Sequence, residues 1–134
     1  MTDDEMKKAI ALVRATLSAL TERRYPEFLA SLSNDVIVET RDQDGRLRRV
    51  IYGRDEYMLD VARWSQAETA DCDSYEVTRA QRGADGLISI HVLPRRLISS
   101  DEHLRLREAG QPARFDVGPA LIQRIVFTRG ISYR

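Results

Sequence analysis

The chain has 134 residues, a length that suits a single domain spanning 1–134 around one core. Its 21 basic and 21 acidic side chains cancel, so no net field draws in nucleic acid or an anionic membrane, and neither partner is expected. Cys72 is the only cysteine, which excludes an intrachain disulfide and any cysteine-built zinc site and fits a reducing compartment.

In chain order, Met1 to Lys8 runs acidic and then basic with no apolar core behind it, so it does not read as a secretory signal. No run approaches the ~20 apolar residues of a membrane span, and a soluble, cytoplasmic protein is expected. Thr2 followed by Glu5 has capping-box spacing, and Met6, Ile10, Val13, Leu17 and Leu20 recur at helical intervals, which predicts a first helix with one apolar stripe. Arg23 and Arg24 fall in its last turn. Tyr25-Pro26 then restarts the chain, and a short second helix is expected over 27–32, with Asn34 and Asp35 ending it.

A strand follows in which Val36, Val38 and Thr40 share one face and Ile37, Glu39 and Arg41 the other. Asp42, Asp44 and Gly45 supply a hairpin turn, and the chain returns over 47–52. Gly53 closes that strand. Asp55 and Glu56 place negative charge in the first turn of a third helix, expected over 54–68 and carrying Tyr57, Met58, Val61, Ala62, Trp64 and Ala67 as its apolar stripe. Three strand-like segments come next, over 74–81, 87–99 and 113–128. Residues 83–86 turn the first into the second, and Gly118-Pro119 interrupts the third as a bulge, because Pro cannot donate to a ladder. The connection 100–112 is polar and long for a hairpin, and 131–134 ends the chain as a short strand. Arg46, Arg48 and Arg49 with Arg95 and Arg96 make a basic patch whose intervening acids point to a solvated, ion-paired surface.

Helices first, a strand pair, a helix and then long strands is an α+β order. YPEFLASLSNDVIVET, YGRDEY and ARFDVGPALIQRIVFTRGIS, in that order and spacing, resemble the successive landmarks of the nuclear transport factor two-like superfamily, which includes ketosteroid isomerases, SnoaL-like polyketide cyclases and scytalone dehydratase. The resemblance implies a cone-shaped, curved antiparallel sheet wrapped around three helices from the N-terminal half, a cystatin-like roll with an apolar pocket open at one end. It also implies a homodimer formed through the outer face of the sheet.

The same resemblance locates functional positions. In ketosteroid isomerases an aspartate base follows a Val-Glu pair on the first strand, and here Val38-Glu39 is followed by Thr40. The oxyanion-hole tyrosine falls near Thr16 and the protonated acid beside it near Gln123. Thr is no general base near neutral pH and Gln exchanges no proton, so the steroid-type shuttle is not expected, although Thr16, Thr40 and Gln123 all retain hydrogen-bonding capacity. The pocket is expected between the first helix, the third helix and the concave sheet, lined by Leu17, Val38, Thr40, Tyr57, Trp64, Gln123 and Phe127, and shaped for a small hydrophobic ligand. No metal-ligand spacing and no glycine-rich phosphate loop is present, and no cofactor is implied.

His91 is the candidate catalytic group, since imidazole titrates near neutral pH. It shares a strand face with Leu87, Ser89 and Leu93 against Ile88, Ile90 and Val92, an alternation that leaves it facing either the pocket or the outside. Asp116 alternates with Phe115 and Val117 and is expected to face outward beside an Arg; His103 falls in the polar connection. Three function classes follow: a cofactor-free acid-base isomerase, dehydratase or cyclase; a non-catalytic ligand-binding or dimerisation module; and a ring-hydroxylating dioxygenase small subunit, suggested by the likeness of LTERRYPEFLASLSNDV to the opening of such subunits.

Overall fold

The structure is a computed structural model in which residues 3–64, 74–95 and 112–128 are described. Among the described residues three helices, α1 (Asp3–Thr21), α2 (Tyr25–Ala30) and α3 (Arg54–Trp64), accompany six strands. The strands are β1 (Leu32–Arg41), β2 (Leu47–Tyr52), β3 (Ser74–Arg82), β4 (Ile88–Arg95), β5 (Ala113–Val117) and β6 (Ile122–Thr128), joined in one sheet of order β2-β1-β6-β5-β4-β3.

The apolar stripe of α1 packs as its spacing requires, with Ala9, Val13, Leu17 and Ala19 buried and Met6, Ile10 and Leu20 packed against them. The helix closes with a left-handed residue, Arg23 at φ 60°. Arg23 N–H donates to Leu20 O at 3.1 Å and Arg24 N–H to Ala19 O at 2.7 Å, the paired bonds of a Schellman cap, so two otherwise orphaned carbonyls are satisfied. Tyr25-Pro26 then opens α2, where Pro fits the first turn because its missing N–H has no intrahelical partner there.

The hairpin between β1 and β2 is built on Asp42, whose Oδ1 accepts from Asp44 N–H at 3.0 Å and Arg46 N–H at 2.9 Å, while Gly45 takes φ 85°. Gly53, at φ 92°, turns β2 into α3: its N–H donates to Val36 O and its carbonyl accepts from Tyr57 N–H, so it couples strand and helix. Helix α1 lies over β3 and β4 and α3 over β1 and β2, which leaves both helices on one face of the sheet. Phe28, Leu32, Val36, Tyr57, Ile90, Phe115, Ile122 and Ile125 make the fully buried centre between the layers. Register shifts in β1, β3 and β5 bend the sheet, as bulges do.

Several expectations are corrected. Helix α2 ends at Ala30 and β1 begins at Leu32, so Asn34 and Asp35 stand within the strand as exposed residues instead of ending the helix. The segment 113–128 is two strands, not one bulged strand. Gly118-Pro119 sits in a turn closed by Gly118 N–H to Leu121 O at 2.9 Å, and β5 and β6 pair antiparallel across it. The sheet is also mixed. β1 and β6 are parallel neighbours, because β6 inserts beside β1 after the antiparallel run β3-β4-β5 and so meets it running the same way. Thr2 of the capping box, residues 65–68 of the third helix, 96–99, the connection 100–111, Cys72, His103 and the terminal strand 131–134 lie outside the described residues.

Candidate functional site

Cross-strand pairing arranges the helix-covered face in rows. Leu32, Ile122, Val117 and Ile88 form one, and Val38, Ile125, Phe115, Ile90 and Ala80 the next, with Ile51 beyond Val38 on β2. A third row runs Arg49, Thr40, Phe127, Ala113, Val92 and Val77. In the first row every side chain is buried; in the third, Thr40 and Phe127 are half-buried and Arg49 is exposed. The core is therefore sealed at the β5–β6 turn and loosens where β1, β2 and β6 reach Thr40, Arg49 and Phe127.

Of the expected lining residues, Leu17, Val38 and Tyr57 meet in the core cluster, and Thr40 and Phe127 are direct neighbours across the β1–β6 pair. The side chain of Trp64 lies outside the described residues. Gln123 is not with them. The register shift in β5 leaves it as the extra residue of β6, and its amide folds over Gly118, where an added Cβ would stand 2.8 Å from Nε2. It sits four residues before Phe127, roughly 13 Å away at ~3.3 Å per strand residue. Thr16 is likewise committed: it is buried on α1 and its hydroxyl donates to Leu12 O at 2.7 Å.

Two polar residues stand at the loosened end: Asp60, which sequence spacing did not single out, and Arg49, which belongs to the basic patch expected to be solvated and ion-paired. Asp60 follows Tyr57 by three residues and precedes Val61, so α3 turns it toward the sheet with its apolar stripe. Its carboxylate lies 2.7 Å from Arg49 Nη2, with the Asp60 side chain 13% exposed and that of Arg49 52%. A carboxylate at a stripe position of an amphipathic helix was the signal available in the sequence, and its partner could be found only by knowing which face of β2 Arg49 occupies. Burial, reinforced by the negative charge of Asp60, pushes the Tyr57 hydroxyl far above its ordinary pKa and keeps it neutral, and its ring tilts against Phe28 at 6.1 Å between centroids.

His91 lies on the opposite face. Ile90 and Val92 bury into the core, so His91 points outward, between Arg79 on β3 and Arg114 on β5. Desolvation lowers its pKa first, then the charges of Arg79 and Arg114, with Asp116 opposing, so the ring is neutral at pH 7. Its Nε2 is buried without a hydrogen-bond partner among the described residues. Asp116 also faces outward, as expected, but is buried: it accepts from Ser89 Oγ at 2.8 Å and from both Nε and Nη2 of Arg114, at 3.0 and 3.2 Å. Beyond it Arg124 reaches Glu39 at 3.7 Å, and Glu39 pairs with Arg41 at 2.7 Å. Among the described residues no three His, Cys, Asp or Glu side chains gather to hold a metal ion, and no helix is long and apolar enough to cross a membrane.

No family model matches the sequence, and neither does any curated protein. Solved structures do match. An NTF2-like protein of unknown function from Pseudomonas putida KT2440 aligns with 100% of this chain and 92% of its own length, at 14% identity and TM-score 0.66. A provisionally assigned ketosteroid isomerase from Kribbella flavida DSM 17836 covers 97% of this chain and 83% of its own, at 23% identity and TM-score 0.53. A provisionally assigned polyketide cyclase from Xanthomonas campestris pv. campestris covers 93% and 92%, at 19% identity and TM-score 0.54. A bent, unclosed six-stranded sheet with its helices on one face, aligned nearly end to end with such structures, gives this chain the NTF2-like fold.

Proposed function

We propose that the chain binds a small, largely apolar molecule at the loosened end of its cone, between α1, α3 and the concave sheet, as an isomerase- or cyclase-type protein of this superfamily. The observation that carries the reading is the graded burial along the paired rows: sealed at Leu32 and Ile122, open at Thr40, Phe127 and Arg49. Leu17, Val38, Tyr57 and Phe127 supply apolar walls, and the Thr40 hydroxyl, with the Arg49–Asp60 pair at the rim, supplies the few polar anchors such sites use. The similar structures provisionally assigned as a ketosteroid isomerase and a polyketide cyclase support this reading by their descriptions.

Filling the mouth tests this. Thr40→Trp should abolish the thermal upshift that hydrophobic ketones give the wild-type protein, with an unchanged far-ultraviolet circular dichroism spectrum. Equal upshifts for both proteins would remove the cone as the binding site.

A second reading, a ligand-binding module without chemistry, is favoured by two placements: Thr40 stands where the resembled isomerases carry their base, and His91 is on the far face of the sheet. That far face we assign to a second copy of the chain, because it buries Asp116 and the His91 Nε2 while exposing Tyr52 and Leu93. Light scattering at micromolar concentration should then read twice 15.3 kDa, and a monomer mass would end this assignment.

A further inference from the structure

We infer that Arg79, His91 and Arg114 form a binding site for a tetrahedral oxydianion, either free phosphate or the phosphate group of a small ester, on the outer face of the sheet. The site stands apart from the cone and does not depend on it. Strand register builds it. β3 pairs with β4 as Val77 opposite Val92, skips Thr78, and resumes as Arg79 opposite His91. Val77 and Val92 lie on the helix-covered face, so without the extra residue Thr78 would stand opposite His91 and Arg79 would turn toward the core; the bulge brings Arg79 out instead. Thr78 Oγ1 donates to the His91 carbonyl at 3.3 Å, which ties the bulge to the same residue. On the other side, Arg114 of β5 is the second register partner of His91. At ~4.8 Å between strands the two arginines flank the imidazole at roughly 10 Å from one another, a span that two guanidinium groups close over one anion.

The charges at this point do not balance. Arg114 is committed to Asp116, whose Oδ1 also accepts from Ser89 Oγ. Arg79 has no carboxylate partner among the described residues; its Nη2 donates to the neutral amide of Gln81. Glu39, the carboxylate in the same row, stands on β1 beyond Val126 and is held by Arg41. Between the two arginines the His91 Nε2 is buried without a hydrogen-bond partner among the described residues. Positive groups set directly opposite one another across a ladder destabilise it, and so does a buried polar atom left unpaired. A dianion over His91 answers all of this: both guanidinium groups donate to its oxygens, and the imidazole, with its proton on Nε2, donates to a third. Arg79 faces the ring from β3, and Arg114 and Asp116 face it from β5; burial and then the two arginines lower its pKa, so an anion and a proton on His91 favour each other. Leu93, next along the same face of β4 and 37% exposed, offers an apolar contact to the organic part of an ester. The second copy assigned to this face meets these arginines with its own, and a bound dianion offsets that repulsion.

The experiment follows the His91 ring C–H signals of the full chain by NMR between about pH 5 and 8, identified by their absence from His91→Gln, in chloride and in sulfate at equal ionic strength. Sulfate stays a dianion over that range and should raise the His91 midpoint by about one pH unit, the effect of an opposite charge at close range. Arg79→Gln should raise the midpoint in chloride, because an opposing cation is gone, and should lose about tenfold or more of the affinity for inorganic phosphate measured by calorimetry, the contribution of one charged hydrogen bond. Arg46→Gln, the same loss of charge on the β1–β2 turn, should leave both readings unchanged. Phenyl phosphate binding more tightly than inorganic phosphate would identify an ester as the ligand, with its ring against Leu93; equal affinities would identify the free anion. If sulfate leaves the His91 midpoint where chloride puts it, no anion sits over the ring and the site is ruled out. It is ruled out equally if Arg46→Gln weakens phosphate binding as much as Arg79→Gln, since diffuse surface charge alone then holds the anion.

Discussion

Phe115→Ala should lower the unfolding free energy by about 3–5 kcal/mol, the range for emptying a well-packed aromatic site. Phe115 is fully buried on β5, an interior strand with β4 on one side and β6 on the other. Its register partners are Ile90 and Ile125, both without solvent exposure, so the vacated volume is walled by residues that are themselves locked in ladders and collapse little. Phe115→Leu keeps most of the volume and should cost less than about 2 kcal/mol. Urea titration followed by circular dichroism measures both. A loss under about 1.5 kcal/mol for the alanine variant, with an unchanged denaturant slope, would mean that the core does not depend on this side chain as its position implies.

What could be read from the sequence, and what could not, divides along the same strand. Alternation over 36–39 fixes the faces of β1 because Val36 and Val38 bury while Ile37 and Glu39 between and after them do not, and the same holds for Ile88, Ile90 and Val92 on β4. The α1 stripe and the hairpin turns at Asp42–Gly45 and 83–86 are local signals, and they appear where their residues require, whereas on α3 Tyr57 and Val61 bury as expected but Met58 and Ala62 are exposed. The β5–β6 turn was missed because Gly118-Pro119 serves a bulge and a hairpin equally well, and only pairing decides. The parallel β1–β6 contact is likewise a consequence of strand order, which no local pattern encodes. The site shows the same split. Val38, Leu17 and Tyr57 are found by apolar periodicity, whereas Gln123 is displaced by a one-residue register shift, after which its parity along β6 no longer indicates its face. Asp60 was hidden for another reason: a single acid in a charged helix looks solvated until Arg49 is known to lie beneath it.

Asp116→Ala should be nearly as destabilising as loss of Phe115, at about 3 kcal/mol, from a polar cause on the other side of the sheet. Asp116 is 3% exposed, and it holds Ser89 and a bidentate Arg114. Breaking a buried pair by removing one partner costs about 3–5 kcal/mol because the other charge is left uncompensated. Here the estimate belongs at the lower end, since Arg114 and Arg124 each keep 36% side-chain exposure and part of their charge reaches water. Asp116→Asn should cost less, because its amide oxygen still accepts from Ser89 or Arg114. The same substitution carries an electrostatic signature. Asp116 is the charge that raises the pKa of His91 against burial, Arg79 and Arg114, so removing it should move the His91 NMR titration to still lower pH. Because the folded pKa of His91 is depressed below 6.5, the unfolded chain binds that proton more readily as pH falls. The contribution of neutral His91 to stability is therefore complete above pH 6.5 and is lost as the pH drops from there toward the folded value. In Asp116→Ala that window widens toward acid. A His91 titration that stayed in place, in a variant that had lost its 3 kcal/mol, would show that the cluster acts through packing and not through charge.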